Sequence, residues 1–177
     1  MSAIKRYAPT LVVLHWLLAI AIFAAFVMGA FVLDDMKNDV PEKLQLLKLH
    51  VVGGISILVL TIIRLIVRVK SAKPDPVVTD NPKMDKVGTS VQHLLYLLTF
   101  LAVFSGMALA LKADLMNILF KNVGALPESF EGIAVHGVHG AMAAALILFT
   151  LVHIAGALKH QFVLKNDILS RMKLGKD

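Results

Sequence analysis

The stretch VHGVHGAMAAALILFTLVH, residues 135–153, is almost wholly apolar and yet holds three histidines. It lies within residues 133–158, a run of 26 residues without aspartate, glutamate, lysine or arginine. About 20 apolar residues are enough to cross a hydrocarbon core about 30 Å thick. The run is therefore predicted to be a transmembrane helix, in which each imidazole needs a partner because an unsatisfied polar group in lipid is costly.

Three further apolar runs are long enough to span a bilayer. Residues 11–33 and 91–111 carry no formal charge. Residues 44–67 are interrupted only by Lys48 and Arg64, whose long side chains can reach the interface. The first run exceeds the roughly 7–15 residues of a signal-peptide core, so we expect it to be a retained span. The sequence thus predicts an all-α integral membrane protein, a bundle of four transmembrane helices.

The composition agrees with a membrane protein. Hydrophobic residues make up 58% of the 177 and charged residues 17%, whereas about a quarter of a soluble domain is charged. The chain has no cysteine, which excludes disulfides and cysteine-ligated iron–sulfur clusters within it. Most of the net charge of +6 lies near the predicted helix ends, so nucleic acid is not expected as a partner. Four spans leave little chain for a second unit, and we predict one domain over residues 1–177.

The basic residues are unevenly distributed between the two sides of the predicted bundle. The N-terminal segment, residues 64–86 and the tail from 159 hold thirteen of the eighteen, and the other two loops are rich in acid. The positive-inside rule therefore predicts that both termini are cytoplasmic. The middle connection, SAKPDPVVTDNPKMDK, has three prolines and is predicted to be extended. Residues 112–132 are partly amphipathic, and either a short interfacial helix or an ordinary loop is expected there.

The histidines inside the predicted spans fall at two depths. His50 and His139 lie near the outer ends of their helices, and His15 and His153 lie near the cytoplasmic ends, with His93 as a competitor at the inner depth. Two levels, each with imidazoles from different helices, are what two bis-histidine b-type haem sites require. Each such iron takes one axial nitrogen on each face of the porphyrin.

The last predicted helix carries the strongest indication. His139 and His153 are fourteen residues apart, which in an α-helix is about 21 Å of rise and a rotation that returns to within about 40° of the starting direction. One helix can therefore present two imidazoles to the same cleft at opposite depths. The expected partners are His50 for the outer haem and His15 for the inner one. Glycines near the outer ligands are expected to admit a flat macrocycle; these are Gly53, Gly54, Gly137 and Gly140.

Other interpretations fit single residues of this set. One intramembrane histidine is equally well explained by a hydrogen bond to a neighbouring helix. His136 is at the outer surface and receives no role. A zinc or copper site usually includes carboxylate or thiolate ligands, which these depths lack. A histidine-lined transporter for metal ions or protons remains a separate class, and it predicts a protein without a haem spectrum.

Four segments resemble the bacterial cytochrome b561 family. They are LHWLLAI around His15, LHVVGGISILVLTIIRLIVR around His50, VQHLLYLL around His93 and VHGAMAAALILFTLVHIAGALKHQF, which contains His139 and His153. The resemblance covers nearly the whole chain except the loops. It implies a four-helix di-haem b cytochrome of the bacterial inner membrane, with the inner haem on His15 and His153 and the outer haem on His50 and His139. It also implies electron exchange with the quinone pool.

The same resemblance implies further sites and partners. His160 would contact a ubiquinone-type quinone near the cytoplasmic edge, with Lys83 and His93 as further candidates. Superoxide is a donor associated with the family, and it would make the chain a superoxide:ubiquinone oxidoreductase; another small donor or a redox protein at the outer face is equally compatible. The five lysines of the outer side are candidates for steering an anion; these are Lys37, Lys43, Lys48, Lys112 and Lys121. The alternative is a haem-bearing membrane anchor of a larger dehydrogenase or hydrogenase, for which the outer loops are short.

Overall fold

The computed structural model describes residues 6–75 and 82–175, and all of the regular structure in these ranges is helical. The long helices are α1 (Pro9–Met28), α2 (Pro41–Lys70), α3 (Pro82–Lys112) and α5 (Ala134–Leu158). A five-residue π-helical turn continues α1 as Gly29–Leu33 and α5 as Lys159–Val163. Within the described ranges, four helical segments of 25 to 31 residues are long and apolar enough to cross a membrane. The predicted all-α bundle with four spans is confirmed.

Proline marks the first residue of three of these helices, namely Pro9, Pro41 and Pro82. This position suits proline because the first helical turn has no use for its missing N–H. The start of α3 at Pro82 corrects the prediction for the middle connection, whose last part, residues 82–86, is helical and not extended. The prolines of this connection were interpreted as breakers, although proline is compatible with a first turn. Residues 76–81 of the connection lie outside the described residues.

A short helix, α4 (Leu115–Lys121), follows α3, with Asp114 and Asn122 in left-handed conformations at its two ends. Its buried residues, Leu115, Ile118 and Leu119, recur at helical spacing and form one apolar face. Residues 112–132 therefore contain a short helix, and its apolar face is packed on the end of the bundle; a position along the membrane interface stays a prediction. Its apolar face packs on Leu33 and Leu47, so it closes the end of the bundle where α2 and α5 begin, which is called the α4 end below.

Two apolar clusters hold the helices together. The larger one, at the α4 end, consists of Leu33, Leu47, Ala110, Ala113, Leu115, Ile118 and Leu119. The smaller one joins α3 to α5 through Leu98, Ala102 and Leu146. Large apolar side chains elsewhere on the long helices remain exposed, and only 6% of the most apolar part of the last span is buried inside the bundle. Such surfaces are expected where the surrounding solvent is lipid.

The opposite end of the bundle, called the terminal end below, holds both ends of the described chain. The backbone N–H of Tyr7 donates to the Arg171 carbonyl at 3.2 Å, and the Trp16 indole donates to the Met172 carbonyl at 3.0 Å. The Arg171 guanidinium in turn donates to the Asp75 carbonyl at 2.6 Å. The C-terminal segment, with a 3₁₀ turn at Ile168–Met172, is thereby tied to the start of α1 and to the connection after α2.

Candidate functional site

Four histidines form two pairs, one toward each end of the bundle. At the α4 end, the ring centres of His50 from α2 and His139 from α5 are 6.1 Å apart, with an interplanar angle of 82°. Toward the terminal end, His15 from α1 and His153 from α5 are 6.3 Å apart, with an angle of 75°. The structure therefore brings together the two pairs that were expected from depth and helix rotation.

The spacing of each pair suits a metal ion held between two imidazoles. Two metal–nitrogen bonds of about 2 Å, together with the distance from each nitrogen to its own ring centre, add up to about 6 Å. Among the described residues there is no group of three or more histidine, cysteine, aspartate or glutamate side chains that could hold a metal ion. A protein-only zinc site needs at least three such ligands. Two opposed imidazoles instead suit a metal whose remaining ligands come from a macrocycle, as in haem.

The hydrogen bonds of His139 engage its Nδ1 and leave its Nε2 free to bind a metal ion. Its Nδ1 lies 2.9 Å from the Ala102 carbonyl oxygen, which can only accept, so Nδ1 carries the proton. The Ser105 hydroxyl donates to the same carbonyl at 2.9 Å and lies 3.3 Å from Nδ1, where it is a second acceptor. The lone pair of the imidazole is then on Nε2. Metal-ligating histidines are usually oriented in this way by a backbone acceptor on the other nitrogen.

Two glycines of the neighbouring helices make room for the imidazoles at the α4 end. A Cβ at Gly29 would lie 3.2 Å from His50 Cε1, and a Cβ at Gly106 would lie 2.9 Å from His139 Cε1. Gly29 opens the π-helical turn after α1, and such turns are often found at functional sites. Neither glycine was predicted from the sequence, although a glycine within an apolar helical run is itself a signal of close approach.

The glycines singled out from the sequence have different surroundings. A Cβ built at any of the four would meet no described atom within 4 Å beyond its own helix backbone and chain neighbours; these are Gly53, Gly54, Gly137 and Gly140. A side-chain atom at these positions would have open space in the described structure, and the expected role of the four glycines beside a macrocycle stays a prediction. Nδ1 of His50 is buried and has no hydrogen-bond partner among the described residues.

The pair of His15 and His153 has a basic side chain in its surroundings. Arg64 of α2 is within electrostatic range of both His15 and His153. Its guanidinium donates to the Tyr96 hydroxyl, and its Cζ lies 5.4 Å from the centre of the Tyr96 ring. Arg64 was expected only as an interface anchor, and the structure adds a contact with α3. The other candidate at this depth, His93, is exposed on α3 and takes no part in the pair.

The predicted quinone contact, His160, lies in the π-helical turn after α5 and is held by Asn166. The Asn166 side-chain N–H₂ donates to His160 Nδ1 at 3.2 Å, and its backbone N–H donates to the His160 carbonyl at 2.9 Å. Nδ1 is therefore the acceptor, and Nε2 carries the proton of the neutral ring. Hydrogen bonds from Ser170 and Gln161 hold the pKa of the nearby Asp167 carboxyl below its usual range.

The other quinone candidate, Lys83, is exposed at the second residue of α3. The ammonium of Lys159 lies 3.6 Å from the Met84 sulfur. Lys83 precedes Met84 in the chain, and His160 follows Lys159. The contact between Met84 and Lys159 therefore brings Lys83 and His160 to the same part of the terminal end.

His136 contacts a polar group and an aromatic ring at the α4 end, apart from the pairs. Its Nε2 lies 3.9 Å from Asp34 Oδ1, and its ring stacks on Phe130 with centres 6.2 Å apart. Lys43, one of the lysines expected to steer an anion, is buried and donates to the Met36 carbonyl. The ammonium of Lys48 lies 4.9 Å from the centre of the Phe120 ring.

Comparison with known proteins identifies the family to which the chain belongs. The family model for prokaryotic cytochrome b561 matches residues 6–175. Cytochrome b562 of Cereibacter sphaeroides is 32% identical over 169 residues, which is 94% of this chain and 94% of that protein. Cytochrome b561 homolog 2 of Escherichia coli (strain K12) is 30% identical over 183 aligned residues, which cover 97% of this chain and 93% of that protein. The chain belongs to the prokaryotic cytochrome b561 family, and it is accordingly a multi-pass bacterial membrane protein that transfers electrons with haem.

A methyl group added at Gly106 is expected to displace His139. In Gly106→Ala the new Cβ would lie 2.9 Å from His139 Cε1, and overpacking of this kind costs about 1–3 kcal/mol. We expect a lower Tm and weaker haem retention at the α4 end, measured by thermal scans and by haem content after purification. Gly88→Ala is the control on the same helix, because a Cβ there meets no described atom within 4 Å. Equal behaviour of the two variants would contradict the prediction.

Proposed function

We propose that residues 1–177 form one di-haem domain, which moves single electrons between a donor at the α4 end and a quinone at the terminal end. One haem b would lie between His50 and His139 and the other between His15 and His153. The observation that carries the proposal is the presence of two opposed imidazole pairs with ring centres 6.1 and 6.3 Å apart. When bound, each haem iron accepts and releases one electron at a time.

The membrane orientation proposed for the bundle places the terminal end in the cytoplasm and the α4 end outside the bacterial inner membrane. Two features support it. Thirteen of the eighteen lysines and arginines belong to the terminal segments and the connection after α2, which is the distribution of a cytoplasmic side. The contacts of Tyr7 and Trp16 with the C-terminal segment bring both ends of the described chain to one end of the bundle, as the proposed orientation requires.

The quinone site proposed at the terminal end is centred on His160. Because Asn166 donates to Nδ1, the Nε2 proton is available to a quinone carbonyl oxygen. The same Nε2–H group can act as a general acid that passes its proton to a quinone that has gained electrons. Lys83 belongs to the same part of the bundle, and its ammonium suits a carbonyl acceptor. His93, exposed on α3, is the third candidate, and a ubiquinone-type quinone is the proposed acceptor.

Superoxide is the donor proposed for the α4 end. It would lose one electron and leave as dioxygen, so two superoxide ions would deliver the two electrons that one quinone takes up together with two protons. Lys37, Lys112 and Lys121 are exposed on this side and suit a small anion. Lys43 and Lys48 contribute less to steering because their ammonium groups are engaged by a carbonyl and an aromatic ring.

The absorption spectrum of the purified protein tests the two-haem proposal. After reduction we expect sharp b-type bands and about two haems per chain, because each imidazole pair supplies both axial ligands of one iron. A ratio near one would mean that only one pair binds haem. A colourless preparation that also fails to take up added haem would contradict the proposal and favour a histidine-lined transporter.

The superoxide proposal is tested by following the haem bands of quinone-supplied protein while superoxide is generated. Reduction of the haem faster than in the donor-free control is expected, and superoxide dismutase should abolish it. If the rate equals that of the control, superoxide is not the donor. A stoichiometric protein partner in the native preparation would instead indicate an anchor subunit.

A further inference from the structure

Arg64 has a charged N–H group that no described residue satisfies. Its Nη1 donates to the Tyr96 hydroxyl, whereas its Nε is buried and has no hydrogen-bond partner among the described residues. A buried donor on a cation is costly when it is unpaired, and more so within a membrane span. Arg68, one turn further along α2, has its own acceptor, since it donates to the Gln92 side chain at 3.1 Å. A missing acceptor for Arg64 is therefore indicated.

The position of Arg64 narrows the chemistry of that acceptor. The guanidinium is within electrostatic range of both His15 and His153, the pair to which the inner haem is assigned above. Haem b carries two propionate carboxylates, which are anions that must also be paired in a medium of low dielectric constant. A guanidinium has five N–H donors in a planar fork, so it can donate to a phenol oxygen and to a carboxylate simultaneously.

We infer that Arg64 donates from Nε to a propionate carboxylate of the haem held by His15 and His153. This inference rests on the proposed function, because it needs haem at that pair. Tyr96, by accepting from Nη1, keeps the guanidinium in place, and the pairing of cation and anion lets both lie within the span. Arg64 is thus an anchoring residue for the inner haem.

Release of haem from the purified holoprotein to excess apomyoglobin tests the inference. The wild type is expected to lose its two haems in two phases. In Arg64→Gln the phase that belongs to the haem held by His15 and His153 is expected to become about tenfold faster or more, because a hydrogen bond to a charged group is lost. The other phase should be unchanged. Arg64→Lys should restore part of the retention because it keeps the charge. Arg68→Gln is the matched control and should release haem like the wild type.

Reconstitution with haem b dimethyl ester isolates the carboxylate. The ester has no propionate anion, so wild type and Arg64→Gln are expected to release it at the same rate, and wild type should release the ester faster than haem b from one site. If Arg64→Gln does not assemble, Arg64→Lys takes its place in the comparison of the ester with haem b. An equal acceleration by Arg64→Gln with both cofactors, or unchanged release of haem b, would overturn the inference.

Three other outcomes have distinct meanings. If Arg64→Gln retains both haems as the wild type does but raises the KM for quinone, a quinone carbonyl is the acceptor and the inference is wrong. A wild-type ratio below two with no haem bound by His15 and His153 overturns both the inference and the proposed function. A wild-type ratio near two with no effect of Arg64→Gln overturns the inference alone.

Discussion

The variant His139→Ala is expected to purify with about one haem per chain. His139 supplies one of the two imidazoles at the α4 end, and its Nε2 lone pair is set free by the bond from Nδ1 to the Ala102 carbonyl. Without it, His50 would be left as a single axial ligand. The pair of His15 and His153 is at the other end of the bundle, separated from His139 by about 21 Å of helix rise. The remaining haem should therefore keep its spectrum and its midpoint potential.

The matched control is His136→Ala, which makes the same substitution one turn earlier on the same helix. His136 contacts Asp34 and Phe130 instead of a second histidine, so about two haems per chain are expected. Haem content is measured by the pyridine haemochrome method, and the midpoint potentials by redox titration. If His139→Ala keeps two haems, or His136→Ala loses one, the assignment of the outer pair is wrong.

The variant His160→Ala is expected to keep both haems and to reduce quinone about tenfold or more slowly. The loss combines one hydrogen bond to the quinone with one proton donor, and general acid–base groups contribute about a hundredfold or more where proton transfer limits the rate. Quinone reduction is followed under pre-reduced conditions in detergent with a soluble ubiquinone analogue. Asn166→Ala should have a smaller effect, because it removes only the donor that sets the tautomer of His160.

His136→Ala serves again as the control, since it makes the same change at the far end of the bundle and should leave quinone reduction unaltered. The ratio of haem to chain separates the two roles that His160 can have. A loss of haem from His160→Ala would make it an axial ligand and would disprove the pairing of His15 with His153. An unchanged rate with both haems retained would remove His160 from the quinone site.

Much of the bundle could be predicted from the sequence because membrane spans depend on local properties. The lengths of the apolar runs alone indicated four helices, and the described residues contain four helices long and apolar enough to span a membrane. The errors in the predicted helix bounds occurred at the polar ends of the helices, where hydropathy does not indicate whether the chain is helical. The start of α3 at Pro82 was missed by nine residues, since a proline that begins a helix and one that ends it look alike in a single sequence.

Predictions about the site depended on geometry within one helix. His139 and His153 belong to the same helix, so the rise and rotation per residue of an α-helix were enough to predict that both face the same cleft. The roles of Gly29 and Gly106 were missed because each faces an imidazole from another helix. Residue spacing along one helix carries no information about that approach.

The sequence by itself thus determined four spans, two depths of histidine and a common face for His139 and His153. Only the tertiary structure decided that His15, and not His93, meets His153, and that Arg64 lies close to this pair. The physical reason is that these helices are apolar nearly all round. In a water-soluble protein, the polar face of a helix points to solvent, and this determines the rotation of the helix about its axis. A helix in lipid has almost no polar face, so its rotation is determined by packing against the neighbouring helices.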